Sequence, residues 1–231
     1  MMISVVIPTL NEKKNISKII KKLKQINIIK EIIFIDDSST DGTYKEICRF
    51  KKYKFVRGYS RNNKMRDLSK SVLYGVRKTK KNYVLVMDCD LQHNPSYIKS
   101  MWSKIINTNC DIVIATRFTE KMVDGNLGYI RSFLSNFAIS LINVIIGKKS
   151  SDPLSGFFLC KKEVVIKYEK KFFLRGYKIL FDIIYNGKKN IDIRHQKIIF
   201  KKRIFEKSKF NFSIIWLFFL QILYTLFLVK K

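Results

Sequence analysis

The sequence of 231 residues predicts an α/β fold in which helices cover a mostly parallel sheet. Short apolar runs typical of strands alternate with segments of helical periodicity through about residue 115, and such alternation is typical of parallel sheets. Three of the apolar runs also end in polar or acidic residues. Because ligands of open α/β sheets bind beyond the carboxyl ends of the strands, we expect a binding site at that edge.

The expected elements follow one another in chain order. An apolar run at residues 3–7 predicts the first strand, and the helical spacing of isoleucine and leucine over residues 15–28 predicts the helix after it. The next strand is expected at residues 31–35. Further helices are expected at residues 43–50, 69–79 and 95–107, and further strands at 83–87 and 111–115. The length suits one α/β domain plus a small appendage.

Residues 84–95 are the most informative segment, because an apolar run there ends in two carboxylates. If strand geometry persists, Asp88 and Asp90 point to the same face. With the amide oxygen of Gln92 they form an oxygen-rich set suited to Mg2+ or Mn2+. Such an ion usually takes further ligands from substrate phosphates. Alone, the segment could equally be a solvated acidic loop, but the acidic turn at residues 36–42 adds a second polar strand end and favours a nucleotide site.

The composition narrows the classes of partner. The net charge is +28, from 46 Lys and Arg against 18 Asp and Glu; it suits an anionic membrane surface or a lysine-rich surface without a specific partner. We expect no nucleic-acid partner, because no binding motif accompanies the charge. Four cysteines without a CxxC pair and only two histidines argue against zinc. The apolar start lacks a preceding basic region, so we expect no secretory signal and reduced thiols in the cytosol.

Two apolar segments point to a membrane. Residues 129–147 carry a broad apolar stripe, which predicts either a core helix or an amphipathic helix at a membrane interface. Residues 210–229 are nearly free of charge and long enough to cross ~30 Å of hydrocarbon as a helix; a buried core helix is the alternative. More lysine and arginine precede this segment than follow it. The positive-inside rule then predicts a single-pass protein with its N-terminal domain on the cytoplasmic side.

Eight short motifs, in this order, resemble family 2 glycosyltransferases of the GT-A fold, and in particular dolichol- or polyprenyl-phosphate mannose synthases. They are residues 8–12, 36–43, 88–95, 116–118, 131–135, 152–158 and 176–180, and Arg203 followed by residues 208–209. The resemblance covers about residues 3–209. It implies a GT-A domain over residues 1–209, with the interfacial helix at 129–147, followed by a transmembrane anchor at 210–229.

The resemblance also implies a reaction. A sugar, with mannose from GDP-mannose as the first expectation, would move with inversion from a nucleotide sugar to polyprenyl or dolichyl phosphate at the cytoplasmic face of a membrane. A phosphate acceptor is already ionised near neutral pH, so no strong general base is required. The alternatives are glucose transfer to the same acceptor, transfer to a glycan hydroxyl, or a non-catalytic partner subunit. A homo-oligomer is left open.

Site residues follow from the resemblance, position by position. Those expected in catalysis are Asp88, Asp90 and Arg117. Those expected to bind the nucleotide sugar are Pro8, Leu10, Glu12, Ile35, Asp37, Asp88, Cys89, Asp90, Arg203 and Lys209. The lipid phosphate would contact Arg117, Arg131 and Ser135, and the metal would be held by Asp88, Asp90 and Gln92. Whether Asp88 binds the metal or instead contacts the sugar or ribose is left open.

Four positions depart from the family pattern. Asp67 stands at the first glycine of a family turn, and Glu206 replaces a glycine of the basic loop that closes over the diphosphate. Leu10 stands where tyrosine is common, and Asp182 where glutamate is common. A stiffer, more acidic closing loop would alter the choice of sugar or lower activity.

Overall fold

The computed structural model describes residues 2–61, 67–118, 142, 144–147, 150–175, 178–199 and 212–227. Within them, seven strands form one sheet in the order β3-β2-β1-β4-β6-β5-β7. The strands are β1 Ile3–Thr9, β2 Ile29–Asp36, β3 Val56–Ser60, β4 Tyr83–Val86, β5 Ile112–Phe118, β6 Phe158–Lys161 and β7 Ile193–Ile199. The helices are α1 Lys13–Lys24, α2 Thr43–Arg49, α3 Leu68–Lys78, α4 Tyr97–Thr108, α5 Lys162–Tyr168, α6 Ile179–Gly187 and α7 Phe212–Phe227.

The sheet is mostly parallel, as predicted. Strand β1 pairs in parallel with β2 and β4, β2 with β3, and β5 with β7. Strand β6 runs antiparallel to both of its neighbours, β4 and β5. Every residue of β1 is buried, as expected for a central strand covered by helices on both faces. The carboxyl ends of β1, β2 and β4 therefore meet at one edge.

Each face of the sheet packs against its own apolar cluster. One cluster joins the sheet to α1, α2 and α4, and the other joins it to α3, α5 and α6. Helix α1 buries the isoleucines and leucine that its spacing predicts, but it ends at Lys24 rather than at Ile28. The chain turns there, because the Ile26 N–H donates to the Leu23 carbonyl and the Ile29 N–H to the Ile26 carbonyl, which lead into β2.

Helix α7 contacts the rest of the protein through Gln221, through the buried Ile222 and through Tyr224, whose ring centroid lies 5.2 Å from that of Phe173. Gln221 Nε2 donates to the Lys178 carbonyl over 3.2 Å, and the Thr225 hydroxyl donates to the Gln221 carbonyl over 2.6 Å. Both side chains are buried, whereas Phe219 and Phe227 are 47% and 74% exposed. The polar residues of this apolar segment therefore lie on the face that docks on the domain.

The described part of α7 has 16 residues. No helix among the described residues combines the length and the apolar character needed to span a membrane. The single-pass anchor predicted over residues 210–229 is therefore not supported by the described helix. Of the predicted interfacial helix at 129–147, residues 129–141 and 143 lie outside the described residues, and residues 142 and 144–146 are helical.

Asp182 of α6 is a buried carboxyl that holds two segments together. Its Oδ2 accepts the Phe173 N–H over 3.2 Å, and Gln221 of α7 also donates to it. Burial raises the pKa of Asp182 to about 7, although both hydrogen bonds oppose the shift. The charged form is thus disfavoured in the folded protein. The contribution of the Asp182 carboxyl to the free energy of unfolding is complete below its ordinary pKa of 3.8 and is lost as the pH rises through about 7.

We expect Asp182→Asn to raise the melting temperature at pH 8 by at least about 3 °C, because the amide removes the cost of ionising a buried carboxyl. The gain should shrink toward pH 5, where the wild-type carboxyl is already neutral. Thermal unfolding at both pH values, in one detergent, measures the effect. Asp192→Asn, at an exposed carboxylate, is the matched control. An equal effect at pH 5 and pH 8 would contradict the assignment.

Candidate active site

The carboxyl ends of β1 and β2 place two predicted ligand contacts side by side. Pro8 and Ile35 are direct partners in the register of these strands, and both are buried. The pairing of β1 with β4 ends at Val6, so the missing N–H of proline interrupts no ladder on that side. Leu10 and Glu12 continue from β1 at the same edge.

The loops after β1 and β2 are joined by hydrogen bonds. The Asn11 N–H donates to Ser39 Oγ, and Asn11 Oδ1 accepts the Thr40 N–H, each over 2.8 Å. The Glu12 N–H donates to Thr43 Oγ1, also over 2.8 Å. Asn11 has a φ of 54°, a left-handed conformation that asparagine tolerates better than most residues. These bonds fix the backbone on this side of the site.

Asp36 stabilises the turn after β2. It is buried, and its carboxylate accepts both the N–H and the hydroxyl of Ser39, over 3.1 and 2.5 Å. This is the side-chain-to-backbone turn typical of aspartate. Asp36 thus caps the turn after β2 rather than facing a ligand.

Asp37 is also buried, and the Asp67 N–H, the Ser71 hydroxyl and the Arg61 guanidinium all act on its carboxylate. Oδ2 accepts the Asp67 N–H over 2.7 Å. Oδ1 lies 3.3 Å from Arg61 Nη1, yet it has no hydrogen-bond donor among the described residues. Burial raises the pKa of Asp37, and the Arg61 charge opposes this. A buried acceptor without a donor is costly, and the Arg61 charge 3.3 Å from Oδ1 offsets part of that cost.

Arg61 is a site residue that the sequence analysis missed. It follows β3, is buried, and donates through Nη1 to the Asp67 carbonyl over 3.0 Å and to Ser71 Oγ over 2.5 Å. It therefore joins the ends of β2 and β3 to the start of α3. Strand β3 was not expected from the sequence; recognising it would have placed this arginine beside Asp37.

Asp67, a departure from the family pattern, occupies the N-cap position of α3. Its carboxylate lies 3.2 Å from Lys70 Nζ, one turn into the helix. An acidic residue is favourable there because of the positive end of the helix dipole. The substitution thus has a structural role next to Asp37.

The assumption that strand geometry continues through Asp88 and Asp90 is wrong. Strand β4 ends at Val86, and the chain bends before Leu91, which has a φ of 63°. The Asp88 side chain is 40% exposed, whereas Asp90 is buried. Asp90 Oδ1 accepts the Gln92 N–H over 3.1 Å, so the turn itself orients this carboxylate.

Gly156 forms a cradle for the Asp88 carboxylate. A β-carbon on Gly156 would lie 2.8 Å from Asp88 Oδ2, closer than such contacts normally come. The neighbouring Phe157 stacks on His93, with ring centroids 5.0 Å apart, and His93 Nδ1 lies 3.8 Å from Asp88 Oδ2. The motifs at residues 88–95 and 152–158 therefore meet at Asp88, and only glycine leaves room for it.

The described residues fit a metal ion that takes some of its ligands from the protein and the others from a substrate. They include no group of three or more His, Cys, Asp or Glu residues that could hold an ion alone. A partly exposed Asp88, an oriented Asp90 and the amide of Gln92 match the needs of Mg2+ or Mn2+, which keep positions open for phosphate oxygens.

The remaining predicted contacts are placed only in part. Cys89 is buried between the two aspartates. Arg117 lies in β5, where its partner in the register is Ile198 of β7. The other predicted residues lie outside the described ones, and their roles stay predictions; they are Arg131, Ser135, Arg203, Glu206 and Lys209.

Comparison with known sequences identifies a family. Residues 4–169 match the sequence profile described as Glycosyl transferase family 2. The chain is 34% identical over 194 residues to a dolichol-phosphate mannosyltransferase of Pyrococcus furiosus, covering 81% of this chain and 53% of that protein. It is 29% identical over 189 residues to the protein of the same name from Saccharomyces cerevisiae, covering 78% and 69%. The chain thus spans about half the length of the first relative.

Solved structures share the fold. Glucosyl-3-phosphoglycerate synthase of Mycobacterium tuberculosis superposes with a TM-score of 0.73 at 18% identity, over 99% of this chain and 80% of that one. The same protein in complex with Mn2+, UDP-glucose and phosphoglyceric acid superposes with a TM-score of 0.72 at 18% identity, over 99% and 79%. This likeness confirms the expected GT-A-like α/β fold.

We expect Arg61→Met to lower the free energy of unfolding by roughly 3 kcal/mol at pH 7.5, because it leaves the buried Asp37 carboxylate without its cation. The loss should be smaller at pH 5: without Arg61 the raised pKa of Asp37 rises further, and such a group destabilises more as the pH increases. Urea unfolding at both pH values measures this.

Arg194→Met, which breaks an exposed ion pair with Asp192, is the control and should cost less than about 1 kcal/mol. Asp37→Asn should recover most of the loss in the Arg61→Met background. A loss that is independent of pH and of residue 37 would exclude the charge pairing as its cause.

Proposed function

The chain belongs to glycosyltransferase family 2, and from this premise we propose that it transfers a sugar from a nucleotide sugar to the phosphate of a polyprenol or dolichol. Mannose from GDP-mannose is the favoured donor, because two relatives are named dolichol-phosphate mannosyltransferases. The observation that carries the proposal is the shared edge of β1, β2 and β4, where the end of β1 lies between the buried Asp37 after β2 and the acidic turn after β4.

The donor nucleotide would bind across the ends of β1 and β2. The Asp37 carboxylate would accept an N–H group of the base, and the apolar Pro8 and Ile35 would flank it. Glu12 would accept a hydrogen bond from a hydroxyl of the ribose. Asn15 Nδ2 donates to Glu12 Oε2 over 2.7 Å and so orients this carboxylate before a ligand arrives.

Asp88, Asp90 and Gln92 would hold a Mg2+ or Mn2+ ion. When bound, the ion supplies positive charge that stabilises the departing diphosphate. A protein of the same fold was solved with Mn2+ and UDP-glucose, which supports a divalent ion in general. The chain's own contribution is to orient Asp90 through the Gln92 N–H and to seat Asp88 against Gly156.

The reaction would proceed by direct displacement. An ionised oxygen of the lipid phosphate attacks the anomeric carbon, and the bond to the nucleotide diphosphate breaks on the opposite face, so the configuration inverts. Arg117, Arg131 and Ser135 would bind the lipid phosphate, because arginine donates two parallel hydrogen bonds to such groups. Arg203 and Lys209 would close over the diphosphate and exclude water.

The lipid acceptor requires a membrane surface. Exposed phenylalanines on α7, Phe219 and Phe227, and the net charge of +28 suit an anionic lipid surface. We propose that residues 210–229 associate with the membrane and that the N-terminal domain lies on its cytoplasmic side.

The test uses the full chain in detergent, with Mn2+ or Mg2+, a short polyprenyl phosphate and a panel of nucleotide sugars. We expect a lipid-linked hexose from GDP-mannose, detected by mass spectrometry. Asp90→Asn should slow its formation by at least about 100-fold, since the ion would lose a ligand, whereas Asp192→Asn at an exposed carboxylate should not.

Product formed from UDP-glucose rather than from GDP-mannose would support the proposed reaction, with glucose as the transferred sugar. Product with a glycan acceptor, but none with polyprenyl phosphate, would replace the proposed acceptor. Folded protein that binds nucleotide but transfers from no donor would contradict the proposal and favour a partner subunit.

A further inference from the structure

Residues 150–157 form a segment that carries Gly156 to the Asp88 carboxylate. The start of the segment contacts the His195 side chain of β7. The Ser151 N–H donates to His195 Nε2 over 3.4 Å, and Ser150 Oγ lies 3.2 Å from the same nitrogen. Position 195 is thus linked to the cradle of Asp88 through one short segment.

Hydrogen bonds hold the segment between these two ends. Ser150 is buried, and its Oγ accepts the Asp152 N–H over 3.2 Å. The Ser155 N–H donates to the Asp152 carbonyl over 3.2 Å, and Ser155 Oγ donates to the Ala115 carbonyl of β5 over 2.8 Å. A shift at the His195 end would therefore reach Gly156 rather than be absorbed within the segment.

The contacts define the protonation state of His195. A backbone N–H can only donate, so Nε2 must accept, and the ring is neutral with its proton on Nδ1. From α4, Lys104 Nζ donates to the His195 carbonyl over 2.6 Å. From the segment, Asp152 faces the ring, and on β5 its partner in the register is the apolar Ile114. Arg194 and Gln196 flank it on β7.

These surroundings favour the neutral ring. Burial lowers the pKa of His195 most, the Lys104 charge lowers it further, and Asp152 opposes both. A histidine with a lowered pKa contributes stability that is complete above the ordinary value of 6.5 and is lost as the pH falls through the folded value. Protonation would turn Nε2 into a donor. Ser150 Oγ could still accept it, but the Ser151 N–H would lose its acceptor.

We propose that His195 is a positioning residue for sugar transfer: through its neutral imidazole it holds residues 150–157 in the place that seats Asp88. This inference rests on the proposed function. Transfer should therefore slow in mild acid as His195 becomes protonated, while binding of the lipid phosphate, whose proposed contacts lie outside residues 150–157, should not change.

The first test observes the two imidazoles of the full chain directly. The sequence contains two histidines, so 13C-labelled histidine yields two imidazole signals, and His195→Gln assigns them by removing one. We expect a pKa for His195 below 6.5 and the Nδ1–H tautomer. Lys104→Gln should raise that pKa. The protection factors of residues 150–157 against hydrogen exchange, which account for the slower intrinsic exchange in acid, should fall in acid in the wild type. They should not fall in His195→Gln, whose amide oxygen accepts the Ser151 N–H at every pH.

The second test compares pH profiles of transfer. His195→Ala should lower kcat by roughly tenfold at pH 7.5 with little change in KM for polyprenyl phosphate. His195→Gln should recover most of that loss. It should also remove the acidic limb of the pH profile, which is the decrease in kcat at low pH that follows the His195 pKa. Lys104→Gln should move the limb to higher pH. Gln196→Ala, beside it on β7, is the matched control and should retain the wild-type profile.

A His195 pKa at or above 6.5, or equal exchange of residues 150–157 in the wild type and in His195→Ala, would overturn the proposal. So would an acidic limb that His195→Gln leaves in place. If no variant and no wild-type sample transfers sugar, the proposed function has failed, while the titration and exchange data still decide whether His195 positions the segment.

Discussion

The parallel pairing of β1 with β2 on one side and β4 on the other is the constraint on which the candidate site depends. It brings three polar strand ends to one edge, in a register that sets Pro8 opposite Ile35. A shift by one residue would turn the side chains of a strand to the other face of the sheet. Since β1 is buried throughout, such a shift would disrupt the side-chain packing in both apolar clusters. The cores therefore determine where the acidic turns lie.

This edge also holds unfavourable features that the cores must offset. Asp36 and Asp37 are both buried, and burying a carboxylate is costly unless donors surround it. Asn11, Ser38 and Leu91 adopt positive φ values of 54°, 61° and 63° in the three turns of this edge. Strained backbone of this kind persists where the surrounding structure fixes it, and it is common at ligand sites. These features lower the stability of the fold, and they are typical of a ligand-binding edge.

How much the sequence predicts depends on the range of the interaction. Alternation and helical spacing are local, so β1, β2, β4 and the first four helices could be predicted within a few residues. Strand β3 was missed because Val56–Ser60 is short, largely polar and at the sheet edge, and Arg61 was missed with it. The antiparallel insertion of β6 and the contact of Gly156 with Asp88 join residues far apart in sequence. No local pattern could show them, and the bend before Leu91 overturned the strand geometry assumed for Asp88 and Asp90.

In the proposed site, the turn after β4, supported by Gly156 beneath Asp88, would bind a divalent ion together with a nucleotide diphosphate. Calorimetric titration of GDP into the full chain, with and without Mn2+, for the wild type and Gly156→Ala, tests this most directly. We expect Mn2+ to strengthen nucleotide binding to the wild type by about tenfold or more. We expect Gly156→Ala to lose this gain while binding GDP alone as the wild type does. An equal gain in both proteins, or none in the wild type, would contradict it.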